Sequence, residues 1–301
     1  MSNLCACVDI GGTKIAYGLI DDASPTTVTA VGRTPTPTHD VMSAVLGVIR
    51  ELVESARQQG RTIDAIGVGA PGVIDPVAGR VVSAGPTMPG WAGTNIADAI
   101  RNEFDVPLAV HNDVRIMGLG ESVFGAAQGV ANTLFVSLGT GVGGALVRGA
   151  RLVDSPHHTA GELRALLGRL PDGHAAPVED FAAGPGLARS YNELTGSNIQ
   201  LPEIMQRYHA GEATAHTVIS GNMAALGEAL AGFASAIDID ALIIGGGVGA
   251  IGDPILEPLI QGFRQHALHP IDTIPILPAQ LGTNAPLVGA GYLASLACKG
   301  E

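Results

Sequence analysis

A strand, a glycine turn and a second strand occur twice in this chain, 128 positions apart, and that repeat constrains the fold more than any other feature. The first copy reads Val8-Asp9-Ile10-Gly11-Gly12-Thr13 and continues into Ile15-Ala16-Tyr17-Gly18-Leu19. The second begins in residues 133–138, turns through Gly139-Thr140-Gly141-Val142-Gly143-Gly144 and continues into Ala145-Leu146-Val147. Apolar runs broken by glycine read as β-hairpins, so each copy predicts a hairpin. Two such openings in 301 residues point to a duplicated unit in two domains. The alternative is two unrelated hairpins that share only the need for glycine.

The rest of the chain alternates helix and strand. Residues 40–59 place Val41, Val45, Val48, Ile49 and Leu52 at helical spacing and stop at Gly60. A short buried strand over 65–68 leads into Gly69-Ala70-Pro71-Gly72. Residues 96–104 predict a helix, 108–110 a strand and 114–124 another helix. Beyond residue 180 the chain is mostly helical, most clearly over 223–237. A buried strand over 241–244 opens onto Gly245-Gly246-Gly247, and 290–297 predicts a closing helix. The pattern is that of an α/β protein.

Composition removes several function classes. The net charge is −12, which argues against a surface that tracks nucleic-acid phosphates. Residues 122–147 carry no formal charge, but Asn132, Gln128 and six glycines suit strands and turns rather than a membrane span. Three cysteines, Cys5, Cys7 and Cys298, are too few for a disulfide framework, so a reducing cytoplasm is expected. Met1-Ser2-Asn3 has no basic region, and no signal peptide is expected.

The G-x-G-x-x-G pattern begins at Gly67, Gly139 and Gly247, but 42 glycines make such matches uninformative. The first meets Pro71 and the second runs into a strand. The third lacks the acidic residue a dinucleotide ribose needs. No G-K-[S/T] occurs, which excludes a Walker loop. The paired hairpins offer a different phosphate site. Asp9-Ile10-Gly11-Gly12-Thr13-Lys14 sets a carboxylate beside open backbone N–H groups, and Leu138-Gly139-Thr140-Gly141 adds a hydroxyl in the second half. Two facing turns of this kind suit the β- and γ-phosphates of a nucleotide, with Asp9 near Mg²⁺. His111-Asn112-Asp113 lies between a strand and a helix, where α/β sheets bind ligands. Asp113 there is either a base for a substrate hydroxyl or a helix N-cap, and spacing alone favours the cap.

Taken in order, six motifs resemble the ROK family of bacterial sugar kinases over almost the full length. They are Asp9 to Lys14, Gly69-Ala70-Pro71-Gly72, Asn112-Asp113, Leu138 to Gly144, Ala160-Gly161-Glu162-Leu163 and Gly245-Gly246-Gly247. The resemblance implies a two-domain actin/hexokinase-like α/β fold, of the duplicated ribonuclease H type, with a cleft between the domains. It implies a small domain over 1–112, completed by a helix over 290–301, and a large domain over 113–289. The implied activity is transfer of the γ-phosphoryl group of ATP, with Mg²⁺, to the 6-hydroxyl of a hexose. By position, Asp113 would be the general base, and Asn112, Gly72, Glu162, Glu179 and His158 would face the sugar. Asp9, Gly11, Gly12, Thr13, Lys14, Gly139, Thr140 and Gly141 would hold phosphate, and Gly245, Gly246 and Gly247 the adenosine. A homodimer is implied as well, with no nucleic-acid or membrane partner.

Two departures accompany the resemblance. The family places a histidine after its Gly-Glu pair, as a sugar contact and zinc ligand, and Ala165 stands there. Residues 168–178 contain none of the family's cysteines, so a structural zinc is not expected. His174 and Asp172 in that segment are too few to make such a site, and His157 and His158 are read as loop residues. Val73, where some N-acetylmannosamine kinases carry Arg, points to a glucose-like substrate. N-acetylhexosamine phosphorylation and a catalytically silent sugar sensor are the remaining alternatives.

Overall fold

The computed structural model describes residues 2–85, 88–153 and 155–300 and divides the chain into two compact units. The first comprises Met1–Gly125, Leu152–Ala160 and Thr283–Glu301; the second comprises Ala126–Arg151 and Gly161–Gly282.

The first unit begins with the expected hairpin, β1 (Leu4–Ile10) and β2 (Lys14–Asp21), followed by β3 (Val28–Pro35). The helix α1 (Val41–Gln58) buries Val45, Val48, Ile49, Leu52 and Ala56, the face its spacing predicts. Each fully buried Val, Ile or Leu there contributes about 1.5–3 kcal/mol. There follow β4 (Ala65–Ala70), the small hairpin β5 (Val73–Asp75) and β6 (Arg80–Ser83), then α2 (Ile96–Arg101), β7 (Leu108–Asn112) and α3 (Asp113–Phe124). The main sheet runs β3-β2-β1-β4-β7. Its first three strands pair antiparallel, while β1, β4 and β7 run parallel. Every residue of β4 is buried, as covering both faces of a parallel strand requires. The predicted helix over 96–104 ends at Arg101; the N–H groups of Asn102 and Phe104 still bond Asp98 and Ile100 as the chain turns toward β7.

The second unit repeats the plan. It contains β8 (Asn132–Leu138), β9 (Val142–Arg148), β10 (Arg151–Leu152), the hairpin β11 (Leu167–Arg169) and β12 (Ala175–Pro177), α4 (Val178–Ala182), α5 (Gly184–Thr195), α6 (Leu201–His209), α7 (Ala213–Ile237), β13 (Ala241–Gly245), α8 (Gly246–Gly249), α9 (Asp253–His266) and β14 (Ile276–Pro278). Its sheet runs β10-β9-β8-β13-β14. Strands β8 and β9 pair antiparallel, and β8, β13 and β14 run parallel. Each strand of the first sheet thus has a counterpart at the same place in the second. Unrelated hairpins would not produce matching sheet orders, and the uncharged 122–147 stretch is the end of α3 plus the β8–β9 hairpin.

The chain ends in α10 (Ala285–Lys299), which packs against α3, β4 and β1 in the first unit. Contact with α3 is backbone to backbone: a Cβ on Gly289 would stand 1.8 Å from the Ile116 carbonyl oxygen. Phe124 and Tyr292 meet edge to face across the same pair, with centroids 5.5 Å apart. Compared with the expected division after residue 112, the first unit therefore also takes in α3 and residues 152–160. No helix among the described residues is long and apolar enough to cross a membrane.

Candidate active site

In the first unit, the turn after β1 is closed by the Gly11 N–H donating to the Lys14 carbonyl at 2.9 Å. Thr36 braces it from β3's end: its hydroxyl donates to Gly11 O at 2.6 Å and its N–H to Thr13 O at 3.0 Å. A Cβ on Gly12 would meet nothing within 4 Å, so the outer face of the turn is open. Beneath it lies Asp9, whose Oδ1 is buried with no hydrogen-bond partner. Burial pushes its carboxyl up to about 6, against the opposing pull of the Lys14 charge. A buried carboxylate oxygen without a donor is costly and calls for a cation or a proton. Among the described residues no group of three or more His, Cys, Asp or Glu side chains could cage a metal. One hard carboxylate beside a turn with an open outer face nevertheless fits Mg²⁺, which takes few protein ligands and fills its shell with phosphate oxygens and water.

The next strand ends bring Gly72, Asn112 and Asp113 together. Gly72 adopts φ +99°, and a Cβ there would stand 2.3 Å from the Ser83 carbonyl oxygen, so only glycine fits. Asn112 Nδ2 donates to Gly72 O and to Asp113 Oδ1, each at 2.9 Å. Its Oδ1 accepts the Arg115 N–H at 3.0 Å, so Asn112 is the N-cap of α3. Asp113 Oδ1 also accepts the Val114 N–H at 2.9 Å. The cap that spacing alone favours for Asp113 thus belongs to its neighbour. Asp113 is half-buried at the carboxyl edge of the sheet and oriented by these two bonds. Trp91 fixes the adjoining loop by donating Nε1–H to Pro71 O at 3.0 Å. A cavity of about 450 Å³, lined by Gly12, Thr36, His39, Met42, Met88 and Trp91 among others, opens beside the first turn.

A polar cluster surrounds this pair, and it joins His111 and His158 to Arg115 and Asp75, which the sequence patterns do not single out. His111 is buried, and its Nδ1 accepts the Asn112 N–H at 2.9 Å. Burial, then the Arg115 and His158 charges, push its imidazole down to about 3, so it is neutral. Arg115, 4% exposed, donates Nη2–H to the His158 carbonyl at 2.6 Å. His158 has a left-handed backbone, φ +57°, and its Nε2 lies 3.8 Å from Asp75 Oδ2. The only sequence signal for Arg115 is a lone charge in the apolar run from Val114 to Leu119.

The second unit gathers the remaining residues. Gly139 N–H donates to Gly141 O at 3.0 Å, and the N–H of Gly184, at the start of α5, donates to Gly139 O at 2.8 Å. Thr140 is exposed at the tip. Glu179, in the first turn of α4, accepts the Val142 N–H on Oε2 at 3.0 Å, so it belongs to this turn. Gly246 adopts φ +81° with its Cβ position 2.3 Å from Leu138 O, which sets the Gly245-Gly246-Gly247 bend against the same strand end. Glu162 lies beside Arg164 at 3.6 Å, just after Gly161, whose Cβ position is 2.7 Å from Gly144 O on β9. Ala165 closes a short 3₁₀ turn over Leu163–Ala165. Asp172 and His174 pair at 3.1 Å in the exposed turn between β11 and β12.

Two hairpin-led α/β units with glycine turns at their strand ends define a chain of the actin–hexokinase type. The ROK family model matches residues 5–296, and the chain belongs to the ROK family. It is 28% identical over 312 residues to a glucokinase of Halalkalibacterium halodurans, covering 95% of this chain and 93% of that one. The ROK hexokinase of Thermus thermophilus shares the fold with a TM-score of 0.85 at 29% identity, covering all of both chains. A ROK family glucokinase of Streptomyces griseus, solved with glucose and AMPPNP, gives a TM-score of 0.77 at 28% identity, covering 98% and 100%.

Proposed function

We propose that this protein is a sugar kinase that transfers the γ-phosphoryl group of ATP to the 6-hydroxyl of a glucose-like hexose. The observation that carries the reading is the division of labour between Asn112 and Asp113. Asn112 caps the helix and spends both amide protons on Gly72 O and Asp113 Oδ1, so the neighbour that bears the cap also aims the carboxylate that acts as the base.

Asp113 accepts the hydroxyl proton as the sugar oxygen attacks the γ-phosphorus and the bond to the ADP oxygen breaks. Little covalent work falls to the protein, so positioning and charge stabilisation supply most of the rate. The open turns at Gly11–Lys14 and Gly139–Gly141 offer N–H groups to phosphate oxygens, and Gly245–Gly247 lie against the adenosine. Asp9, with its unpartnered oxygen, would hold Mg²⁺, which would supply neutralisation of phosphate charge. Glu162, Glu179, His158 and the Gly72 backbone take sugar hydroxyls. Burial pushes the Cys5 thiol up to about 12 and the Cys7 thiol well above its usual value; such inert thiols suit a reducing cytoplasm.

The test is ADP release with Mg·ATP against a panel of hexoses and N-acetylhexosamines, with the phosphorylated position read by ³¹P NMR. Turnover of a glucose-like hexose to its 6-phosphate is the expected result. Turnover confined to N-acetylhexosamines would overturn the substrate, and silence across the panel would overturn the kinase.

A further inference from the structure

Arg115 is a buried cation two residues past the proposed base, and the reaction as derived gives it no task. Its backbone N–H bonds Asn112, while its guanidinium reaches 43 positions along the chain to the His158 carbonyl at 2.6 Å. A charge-assisted bond that short is strong, and a guanidinium taken out of water is an expensive way to hold an ordinary loop.

The held residue is unusual in its own right. His158 adopts the left-handed conformation, sparsely populated for any residue but glycine, and such backbones persist where the surroundings over-determine them. Three groups do so here. Arg115 holds the carbonyl, and the His158 N–H donates to Ser155 O at 3.0 Å. The ring faces Asp75, itself fixed by the Val77 and Ala78 N–H groups at 3.0 Å each. Backbone and imidazole are therefore held by different partners, and the cation that holds the backbone stands on the helix that Asn112 caps and Asp113 begins.

We propose that Arg115 is a positioning residue for the acceptor sugar: it locks the 155–160 strap to the first turn of α3, so that the His158 imidazole is presented to the sugar in register with Asp113. This inference rests on the reading of the site as a sugar kinase with His158 facing the sugar.

The test is a double-mutant cycle on the full chain, reading sugar KM, ATP KM, kcat and the sugar-induced rise in Tm. Arg115→Met is expected to raise the sugar KM about tenfold, with kcat and ATP KM within about twofold. Arg115→Lys, which keeps a donor, recovers part of the loss. His158→Asn tolerates the left-handed backbone and removes the imidazole. It should raise the sugar KM alike, and Arg115→Met should then add less than about twofold. Effects that multiply, or an Arg115→Met protein with lower Tm and unchanged sugar KM, would overturn the proposal. If Arg115→Met does not fold, the Arg115→Lys and His158→Asn cycle reads the same coupling. If the wild type turns over no sugar, the kinase reading falls on its own; the clamp is then read from the sugar-induced rise in Tm. Loss of that rise in Arg115→Met supports it, while retention of the rise, or no rise in the wild type, overturns it.

Discussion

The two glycine hairpins occupy the same place in two sheets of the same strand order, and they do not carry the same chemistry. In the first, Ile10 pairs with Ile15 around residues 11–14; in the second, Leu138 pairs with Val142 around the shorter turn 139–141. Two positions before the leading glycine, the first has Asp9 and the second Ser137. The first turn keeps its carboxylate beneath it on its own strand, with one oxygen, Oδ1, buried and without a donor. The second receives its carboxylate from outside, as Glu179 of α4 on the Val142 N–H. Sheet order survives duplication because it depends on strand pairing and burial. Side chains at strand ends bear little of that load and diverge freely, so the fold is symmetric where the chemistry is not.

The largest effect that would sharpen this contrast is at Asp9. Asp9→Asn should lower kcat by about a thousandfold, because the proposed cation loses the carboxylate beneath the first turn. Sugar-induced stabilisation should survive, and near-wild-type turnover would break the contrast. The same substitution should stabilise the ligand-free protein. A folded-state value near 6, above the usual 3.8, favours the folded state at low pH, and that share is lost as pH rises from about 4 through 6. Asp9→Asn is therefore expected to gain about 3 kcal/mol at pH 7.5 in urea titrations and almost nothing at pH 4.

Next comes Gly141→Ala. The added Cβ would stand 2.5 Å from Glu179 Oε2 and must displace that carboxylate. An increase of about tenfold in ATP KM is expected, with a smaller rise in sugar KM because Glu179 is also proposed to face the sugar. Smallest is Ser137→Ala, the formal counterpart of the Asp9 change, which should alter kcat less than about twofold. A large loss there would show that the two hairpins share a function the proposed reading gives to one.

Much of the fold is legible in residue patterns. Apolar runs broken by glycine mark both hairpins, and the Val45-Val48-Ile49-Leu52 spacing marks α1. The start of α10 is not: the helix expected from residue 290 begins at Ala285, with Pro286 in its first turn as the opening signal. Gly289 and Gly291 are there because α3 and β1 press against that helix, which is a tertiary fact. The candidate site divides likewise. Asp9, Asn112 and Asp113 stand at strand ends where patterns locate them. The hydrogen bonds from Arg115 to His158 and from Val142 to Glu179 span 43 and 37 positions, and no local rule anticipates either.

The central claim is that Asn112 bears the structural duty at the head of α3 and Asp113 the chemical one. Single-turnover phosphoryl transfer by Asp113→Asn, with sugar affinity measured on the same preparation by calorimetry, tests it most directly. The account predicts a rate lowered by about a hundred- to ten-thousandfold with sugar affinity nearly unchanged. A variant that transfers phosphoryl within a few-fold of the wild type, or one that simply loses the sugar, would contradict it.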